Sequence, residues 1–260
     1  MARAIETTSL RRVFGDLVAV DNLDLEVEEG TFFGFLGPNG AGKSTTIKML
    51  TGLLGPTSGV ARVMGHDVVT DAVQAKSRIG VVPEESALFE RLTGPEYLRF
   101  VGRMYSMQRP VIDARSEELL ELMDLQDDHK KLIVDYSHGM RKKLAISAAL
   151  IHAPAVLFLD EPFEGIDAIS SQLVRSVLNQ LVATGVTIFL TSHILEIVEK
   201  LCSHVAIIHK GKLVAQGELD GLRSGVVADG GASDVQSLET LFLSLVGGER
   251  LQQGRLSWLD

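Results

Sequence analysis

The stretch GPNGAGKSTT, residues 37–46, joins backbone-loosening residues to a lysine and several hydroxyl side chains. The spacing Gly-x-x-x-x-Gly-Lys-Ser/Thr is satisfied by Gly37, Gly42, Lys43 and Ser44. Glycines let successive N–H groups point inward around a phosphate, and the N-terminus of a following helix adds positive charge. We expect Lys43 to reach the β- and γ-phosphates of a nucleotide and Ser44 to bind Mg²⁺. The motif predicts nucleotide binding, but it does not separate ATPases, GTPases and kinases.

A pair of carboxylates ends another buried segment. The run AVLFLD is apolar up to Asp160, as expected for a strand buried on both faces, and Glu161 follows directly. An aspartate at this place can hold Mg²⁺, and a carboxylate beside it can orient or deprotonate a water that attacks the γ-phosphate. The alternative is a solvated acidic turn, which the phosphate loop upstream disfavours.

A histidine follows a third apolar run. His193 comes after VTIFLTS, and ligands gather at such strand ends in open α/β sheets. A structural histidine is the alternative. We assign no catalytic role to the other histidines, which include His66, His152 and His204.

These residues need strands that bring them together, and the sequence supplies them. In NLDLEVEEG the alternation places Leu23, Leu25 and Val27 on one face of a half-buried strand. The segments TFFGFL, GVARVMG and RIGVVPE predict further strands, and IKMLTGLL predicts a helix. VAIIHKGKLVAQG predicts a hairpin that turns at Lys210 and Gly211. The pattern is that of an α/β protein.

The middle of the chain, residues 89–152, has helical periodicity and is predicted to be a helical insertion. Thr93 and Glu96 have capping-box spacing at the start of one helix. A second helix is expected to place Leu119, Leu122 and Met123 on one face, and a third is expected over residues 139–151.

The C-terminal part differs in composition. RSGVVADGGASDVQ predicts a linker, SLETLFLSLVGG a short helix, and the last residues a loose tail. We therefore expect one domain over residues 1–217 and a C-terminal segment over residues 218–260.

Composition narrows the function classes. The chain has 260 residues, 45% of them hydrophobic and 23% charged, with a formal net charge of -9, so it lacks a basic surface for nucleic acid. The single cysteine, Cys202, fits a reducing cytosol. The apolar runs are too short to span a bilayer, and the N-terminus lacks the apolar core of a signal peptide. We expect a soluble, cytoplasmic chain that would need a partner for any membrane role.

The order of these motifs over residues 5–217 resembles the nucleotide-binding subunit of ABC transporters. The resemblance implies a P-loop NTPase (RecA-like) core with an N-terminal antiparallel β subdomain and an inserted α-helical subdomain. It implies that Phe14 stacks on adenine, that Asp160 serves Mg²⁺ and that Glu161 is the general base. His193 would contact the γ-phosphate and the attacking water, and Asp167 would communicate across a dimer. The residues expected to cradle the phosphates are Gly37, Pro38, Asn39, Gly40, Ala41, Gly42, Lys43, Ser44 and Thr45.

Two motifs depart from the family pattern. The usual Ser-Gly-Gly-Gln signature is here SHGM, so only Ser137 and Gly139 remain to bind an anion at a helix N-terminus; an ordinary helix cap is the alternative for Ser137. The cations that follow, Arg141, Lys142 and Lys143, are predicted to form a solvated face. The glutamine loop has Glu84 in place of glutamine, expected to ligand Mg²⁺ or orient water, with Glu85 as an equally plausible contact.

In this family the signature of one subunit closes over the ATP of another, so the resemblance implies a dimer, expected to be a homodimer, around two ATP with Mg²⁺. The finer pattern is similar to the drug-, peptide- and lipid-export branch. It implies an integral membrane transporter subunit as partner, docked over residues 84–105, at the cytoplasmic face of the membrane and without nucleic acid. The alternatives are a soluble ABC-type ATPase that acts on ribosomes or DNA, and a regulatory module with low turnover.

Overall fold

The computed structural model describes residues 2–85, 87–225 and 237–246. One sheet is antiparallel and has five strands, in the order β2-β1-β5-β6 with β3 paired to β1. These strands are β1 (Arg3–Phe14), β2 (Leu17–Leu23), β3 (Glu26–Glu28), β5 (Ser58–Val63) and β6 (His66–Asp67).

The segment NLDLEVEEG forms parts of two strands, so the prediction of one strand is wrong. The backbone takes a left-handed conformation at Asn22 (φ 53°), and the extended conformation is interrupted between β2 and β3. The hydroxyl of Thr7 fills the gap, because it donates to the Leu23 carbonyl and accepts from the Leu25 N–H at 2.7 and 2.8 Å. Leu23, Leu25 and Val27 are nevertheless all buried, as the alternation predicts.

The second sheet has six strands: β4 (Phe32–Leu36), β7 (Ile79–Val82), β8 (Val156–Asp160), β9 (Thr187–Thr191), β10 (His204–His209) and β11 (Lys212–Glu218). Their order is β11-β10-β4-β9-β8-β7, and every pair is parallel except β10 with β11. Because the carboxyl ends of β4, β7, β8 and β9 share one edge, the phosphate loop, Glu84, Asp160 and His193 all follow or end strands at that edge.

The parallel sheet is buried on both faces, which explains why its strands are continuously apolar. On one face Phe189 lies within 5.3 to 5.6 Å, centroid to centroid, of Phe33, Phe35 and Phe158, in the core shared with the antiparallel sheet. On the other face the alternate residues of the same strands join a second core with the helices. This double burial fixes the strand ends that carry the candidate site.

The helices are α1 (Lys43–Leu50), α2 (Ala72–Ser77), α3 (Gly94–Met104), α4 (Arg109–Leu122), α5 (His138–Leu150), α6 (Ala168–Ala183), α7 (Leu195–Leu201), α8 (Leu219–Gly225) and α9 (Leu238–Val246). Single 3-10 turns lie at Gln126–Asp128 and Ile133–Asp135, and an isolated antiparallel bridge joins Leu132 to Thr93, so the chain between α3 and α5 is mostly helical. In the described residues no helix is both long and apolar enough to cross a membrane.

The predicted capping box of α3 is present, with the Thr93 N–H bonded to the Glu96 carboxylate at 2.8 Å. The predicted face of α4 is only partly correct. Met123 is fully buried, but Leu122 is 38% exposed, and the buried residues of the helix are Ile112, Ser116 and Leu120. Several leucines crowd the end of α4, so the sequence alone left more than one apolar stripe available.

The predicted hairpin turns at Lys210 and Gly211, both with positive φ. The predicted C-terminal helix is α9, whose Leu238 N–H donates to the carboxylate of Glu199 on α7. Most of the predicted linker and the predicted tail lie outside the described residues, and the boundaries 1–217 and 218–260 stay predictions.

Candidate functional site

The phosphate loop runs from the end of β4 to the start of α1, and its backbone requires glycine. Gly40 and Gly42 have φ of 78° and 110°. A Cβ on Gly42 would lie 2.6 Å from the Ala19 carbonyl, and one on Gly37 would lie 2.4 Å from the Ile208 carbonyl. Among the described residues no side chain caps the N-terminus of α1, so its first N–H groups stay available for an anion.

The lysine of the loop is held close to the backbone. Lys43 is 8% exposed, and its Nζ donates to the Gly37 carbonyl at 2.8 Å. This bond places a positive charge across the loop from the N–H groups. The arrangement can surround the terminal phosphates of a nucleotide.

The carboxylate pair at the end of β8 is fixed by Thr191, which lies opposite Asp160 on β9. The Thr191 hydroxyl donates to Asp160 Oδ1 at 2.5 Å and accepts the Glu161 N–H at 3.2 Å. Both carboxylates are nearly buried, and Glu161 takes a left-handed backbone with φ of 48°. Such a conformation costs about 1–3 kcal/mol in a non-glycine residue and clusters at functional sites.

Glu161 and His193 form a pair. Glu161 Oε2 lies 3.0 Å from His193 Nδ1 and accepts the His193 backbone N–H at 3.2 Å. The Glu161 side chain is 10% exposed, whereas that of His193 is 51% exposed. A nearly buried carboxylate thus faces a histidine that is open to a ligand, which is an arrangement suited to moving a proton to or from a bound water.

These groups surround one cavity of about 840 Å³. Its lining comprises Phe14, Leu17, Val18, Ala19, Pro38, Asn39, Gly40, Ala41, Gly42, Lys43, Ser44, Thr45, Glu84, Asp160, Glu161, Glu164, His193, Lys210 and Gly211. The structure therefore brings most of the sequence-predicted site residues to a single place. Gly37 closes the back of the loop, against Ile208.

The donor set fits Mg²⁺. Ser44 Oγ and the second oxygen of Asp160 carry no hydrogen bond within the part of the chain that the structure describes. Hard oxygen ligands suit this ion, which usually takes one or two protein ligands and completes its shell with phosphates and water. Glu84 also lines the cavity, on an exposed loop.

Phe14 ends β1 at the mouth of the cavity and is 43% exposed. The guanidinium of Arg12 lies 4.5 Å from the centre of its ring and is held by the Gly55 carbonyl at 2.8 Å. Arg12 therefore supports the aromatic ring, while Leu17 and Val18 extend an apolar surface beside it. A flat apolar ligand such as a nucleobase can stack there.

The signature residues lie elsewhere. Ser137 caps α5, because its Oγ accepts the Met140 N–H at 3.2 Å, and the helix-cap alternative is thus part of the structure. Gly139 lies near Asp167, since a Cβ added to this glycine would be 3.7 Å from Asp167 Oδ2. Ser137, Gly139 and Asp167 do not line the cavity of their own chain.

Asp167 caps α6 by accepting the Ser170 N–H at 2.9 Å, and this backbone bond lowers the pKa of the Asp167 carboxyl. His138 Nε2 lies 3.3 Å from the Glu164 carbonyl. These contacts join the start of α5 to the loop before α6, so the signature and Asp167 belong to one surface outside the cavity.

The prediction that Arg141, Lys142 and Lys143 form a solvated face is wrong. Lys142 and Lys143 are 3% and 7% exposed. Lys142 Nζ donates to the Glu84 carbonyl at 2.9 Å, and Lys143 Nζ lies 3.8 Å from Asp124 Oδ2. Each lysine is tolerated inside because it keeps a partner.

Sequence reasoning missed Thr191, Lys142 and Glu164. Thr191 could have been found from its place near the end of the apolar run VTIFLTS, two residues before His193. Lys142 gave no such signal, because its partner Glu84 lies 58 residues away. Glu85, the other candidate of the glutamine loop, is exposed and does not line the cavity.

Comparisons with known proteins agree with this geometry. Residues 20–164 match the sequence profile of the family described as ABC transporter. The chain is 40% identical over 218 residues to the Nod factor export ATP-binding protein I of Cupriavidus metallidurans, covering 84% of this chain and 72% of that protein. It is 41% identical over 224 residues to the daunorubicin/doxorubicin resistance ATP-binding protein DrrA of Streptomyces peucetius, covering 86% and 68%.

A solved structure of the ATP-binding subunit of an ABC transporter superposes with a TM-score of 0.85 at 29% identity, covering 93% of this chain and 99% of the other. The predicted P-loop NTPase fold is confirmed. Because the family profile spans more than half of the chain and relatives share about two fifths of its residues, the chain belongs to the ABC transporter family, as one of its ATP-binding, ATP-hydrolysing subunits.

Proposed function

We propose that this subunit powers export through a separate membrane-spanning partner. The observation that carries the proposal is the cavity in which the phosphate loop, Asp160, Glu161 and His193 converge. The names of the relatives, a Nod factor export protein and a drug-resistance protein, support export and disfavour the alternatives of a ribosome- or DNA-acting ATPase. The net charge of -9 also disfavours a nucleic-acid partner.

The sequence-predicted residues of the cavity have proposed roles. Residues 37–45 bind the phosphates, with Lys43 close to the β- and γ-phosphates. Ser44 and Asp160 hold Mg²⁺, with Glu84 as a further contact; the ion, when bound, offsets negative charge on the phosphates. Phe14 stacks on the adenine.

Glu161 acts as the general base. Its carboxylate takes a proton from the attacking water, and His193, 3.0 Å away, orients that water and contacts the γ-phosphate. Thr191 fixes the positions of both acidic residues, because its hydroxyl bonds to the side chain of Asp160 and to the backbone N–H of Glu161.

A second subunit completes each site. Ser137 and Gly139 start α5 outside the cavity of their own chain, where they are free to meet ATP held by another copy. We propose a homodimer around two ATP, with Asp167 at the contact between the copies. Hydrolysis removes a ligand that both copies grip, and the dimer opens.

The membrane partner is proposed to dock over residues 84–105, at the cytoplasmic face. Phe89 is 55% exposed and Phe100 41%, and their rings meet edge to face at 5.0 Å between centroids. Met104 on the same helix as Phe100 is 70% exposed. An apolar patch of this kind suits a short cytoplasmic helix of the membrane subunit.

The test is purification of the tagged chain from detergent-solubilised membranes, with ATPase activity measured on the isolated chain and on the complex. We expect an integral membrane protein to co-purify and Lys43→Ala to abolish hydrolysis while keeping that partner. Phe89→Ser should lose the partner and keep the ATPase activity of the isolated chain; Val73→Ser, on exposed α2, is the matched control. Wild-type hydrolysis by Lys43→Ala would contradict the site, and a partner unaffected by Phe89→Ser would contradict the docking surface.

A further inference from the structure

Lys142 is a buried cation that has no part in the proposed hydrolysis steps. It lies on α5, at the fifth helical residue after the Ser137 cap, and is 3% exposed. Its Nζ donates to the backbone carbonyl of Glu84 at 2.9 Å. Glu84 is in the loop after β7 and lines the nucleotide cavity. One side chain therefore links the helix of the signature to the wall of the site in the same chain.

The charges around Lys142 also point to the cavity. Burial lowers its pKa, whereas the carboxylates of Glu164, Glu84, Asp160 and Glu161 act in the opposite direction. All of these acidic residues line the cavity. The ammonium group thus lies beside the acidic end of the site, and a movement of α5 changes both the hydrogen bond and the local field.

The two neighbouring cations have other partners. Lys143 lies 3.8 Å from the carboxylate of Asp124, whose side chain is 76% exposed and outside the cavity. Arg141 pairs with Glu90 at 3.2 Å and bonds to the Val134 carbonyl. Lys142 is therefore the residue of this cluster that bonds to a residue of the cavity wall, whereas Lys143, which is also buried, pairs with a residue outside the cavity.

We propose that Lys142 is a positioning residue that couples the two ATP sites of the dimer. When Ser137 and Gly139 close over the ATP of a second subunit, α5 moves as a helix, and Lys142 carries that movement to Glu84 in its own site. The inference rests on the proposed dimer function. Coupling through a contiguous hydrogen bond and a rigid helix gives it a physical path.

The experiment compares Lys142→Met with Lys143→Met in steady-state ATP hydrolysis by the purified chain over a range of ATP concentrations. We expect Lys142→Met to lower kcat by about tenfold with a smaller change in ATP affinity, since it displaces a loop rather than removing a phosphate contact. Its Hill coefficient should fall toward 1 from a wild-type value above 1. Lys143→Met should keep the wild-type kcat and cooperativity. Lys142→Arg retains the positive charge and the N–H donors, and it should also keep both.

The outcomes separate this inference from the proposed function. If the wild type hydrolyses ATP and Lys43→Ala does not, but Lys142→Met behaves as Lys143→Met does, only the coupling role is wrong. A wild-type Hill coefficient of 1 contradicts the inference as well. If Lys142→Met yields no folded protein, Lys142→Gln, whose shorter and uncharged side chain ends before the Glu84 carbonyl, takes its place and is expected to lose cooperativity. Absence of hydrolysis in the wild type would instead contradict the proposed function.

Discussion

In the proposed dimer each ATP lies between two regions, the cavity of one copy and the start of α5 of the other, and these two regions are built in opposite ways. At the carboxyl edge of the parallel sheet Lys43, Asp160 and Glu161 are nearly buried and bonded to the chain's own backbone or to Thr191. At the start of α5, Ser137 is exposed, and the only bond of its side chain in the described residues is a helix cap. The first end is preorganised by packing, whereas the second presents polar groups outward. Substitutions at the first end should therefore disturb chemistry within one chain, and those at the second should disturb the meeting of two chains.

The largest effect is expected for Glu161→Gln, which tests the preorganised end. Glutamine keeps the shape and cannot take a proton, so hydrolysis should fall by about 10²- to 10⁴-fold while ATP binding persists and the dimer is trapped. Phosphate release, nucleotide binding and gel-filtration size measure the three consequences. Glu164→Gln, in the same cavity but without the contact to His193, is the control. Wild-type turnover in Glu161→Gln would remove this residue from the mechanism.

The outward-facing end is tested by Ser137→Asp. Aspartate caps a helix as well as serine does, so α5 should stay intact, but its charge repels the γ-phosphate of the partner's ATP. We expect hydrolysis by the dimer to fall by about 100-fold, with unchanged thermal stability. Ser137→Asn, a neutral cap of similar shape, should retain much more activity. Equal activities of the two variants would mean that Ser137 only caps a helix and does not contact the ATP of the partner.

Thr191→Val separates packing from hydrogen bonding at the preorganised end. The change keeps the shape and leaves a carboxylate oxygen of Asp160 without its buried donor, at about 1–3 kcal/mol, whereas the Glu161 N–H keeps its bond to the residue 191 backbone carbonyl at 3.2 Å. Turnover should fall about tenfold and the Mg²⁺ concentration needed for half-maximal rate should rise. The matched control is Thr187→Val, a buried position on the same strand whose hydroxyl accepts the Gly30 N–H. The same Mg²⁺ dependence in both variants would show that Thr191 does not position Asp160 for Mg²⁺.

The smallest effect is expected at Phe14, the half-exposed base platform. Phe14→Ala should raise KM for ATP by about fivefold, since stacking on one base contributes about 1–3 kcal/mol, and should leave kcat unchanged. Phe14→Tyr should match the wild type. An unchanged KM in Phe14→Ala would place the base elsewhere in the cavity.

The sequence indicated which residues meet at the preorganised end, because the signals there are local. A glycine pattern, a strand that ends in acids and a strand that ends before a histidine all lie within a few residues of the chemistry. Long-range partners were not predictable. Thr191 meets Asp160 only through the register of β8 and β9, and Lys142 is buried only because Glu84, from a distant loop, accepts its hydrogen bond. A cation in an amphipathic helix is normally solvated, and the exception needs the fold to be known.

Gly42 has a consequence for the stability of the whole subunit. It packs against the Ala19 carbonyl of the antiparallel sheet, and a Cβ on it would lie 3.4 Å from the side chain of Ile208 in the parallel sheet. The phosphate loop therefore contacts both sheets. A ligand that binds only the folded chain adds about 2.7 kcal/mol to the free energy of unfolding at 100 times its Kd. That gain would be distributed over both sheets, and amide exchange should slow in β2 as well as in β10 when ATP binds.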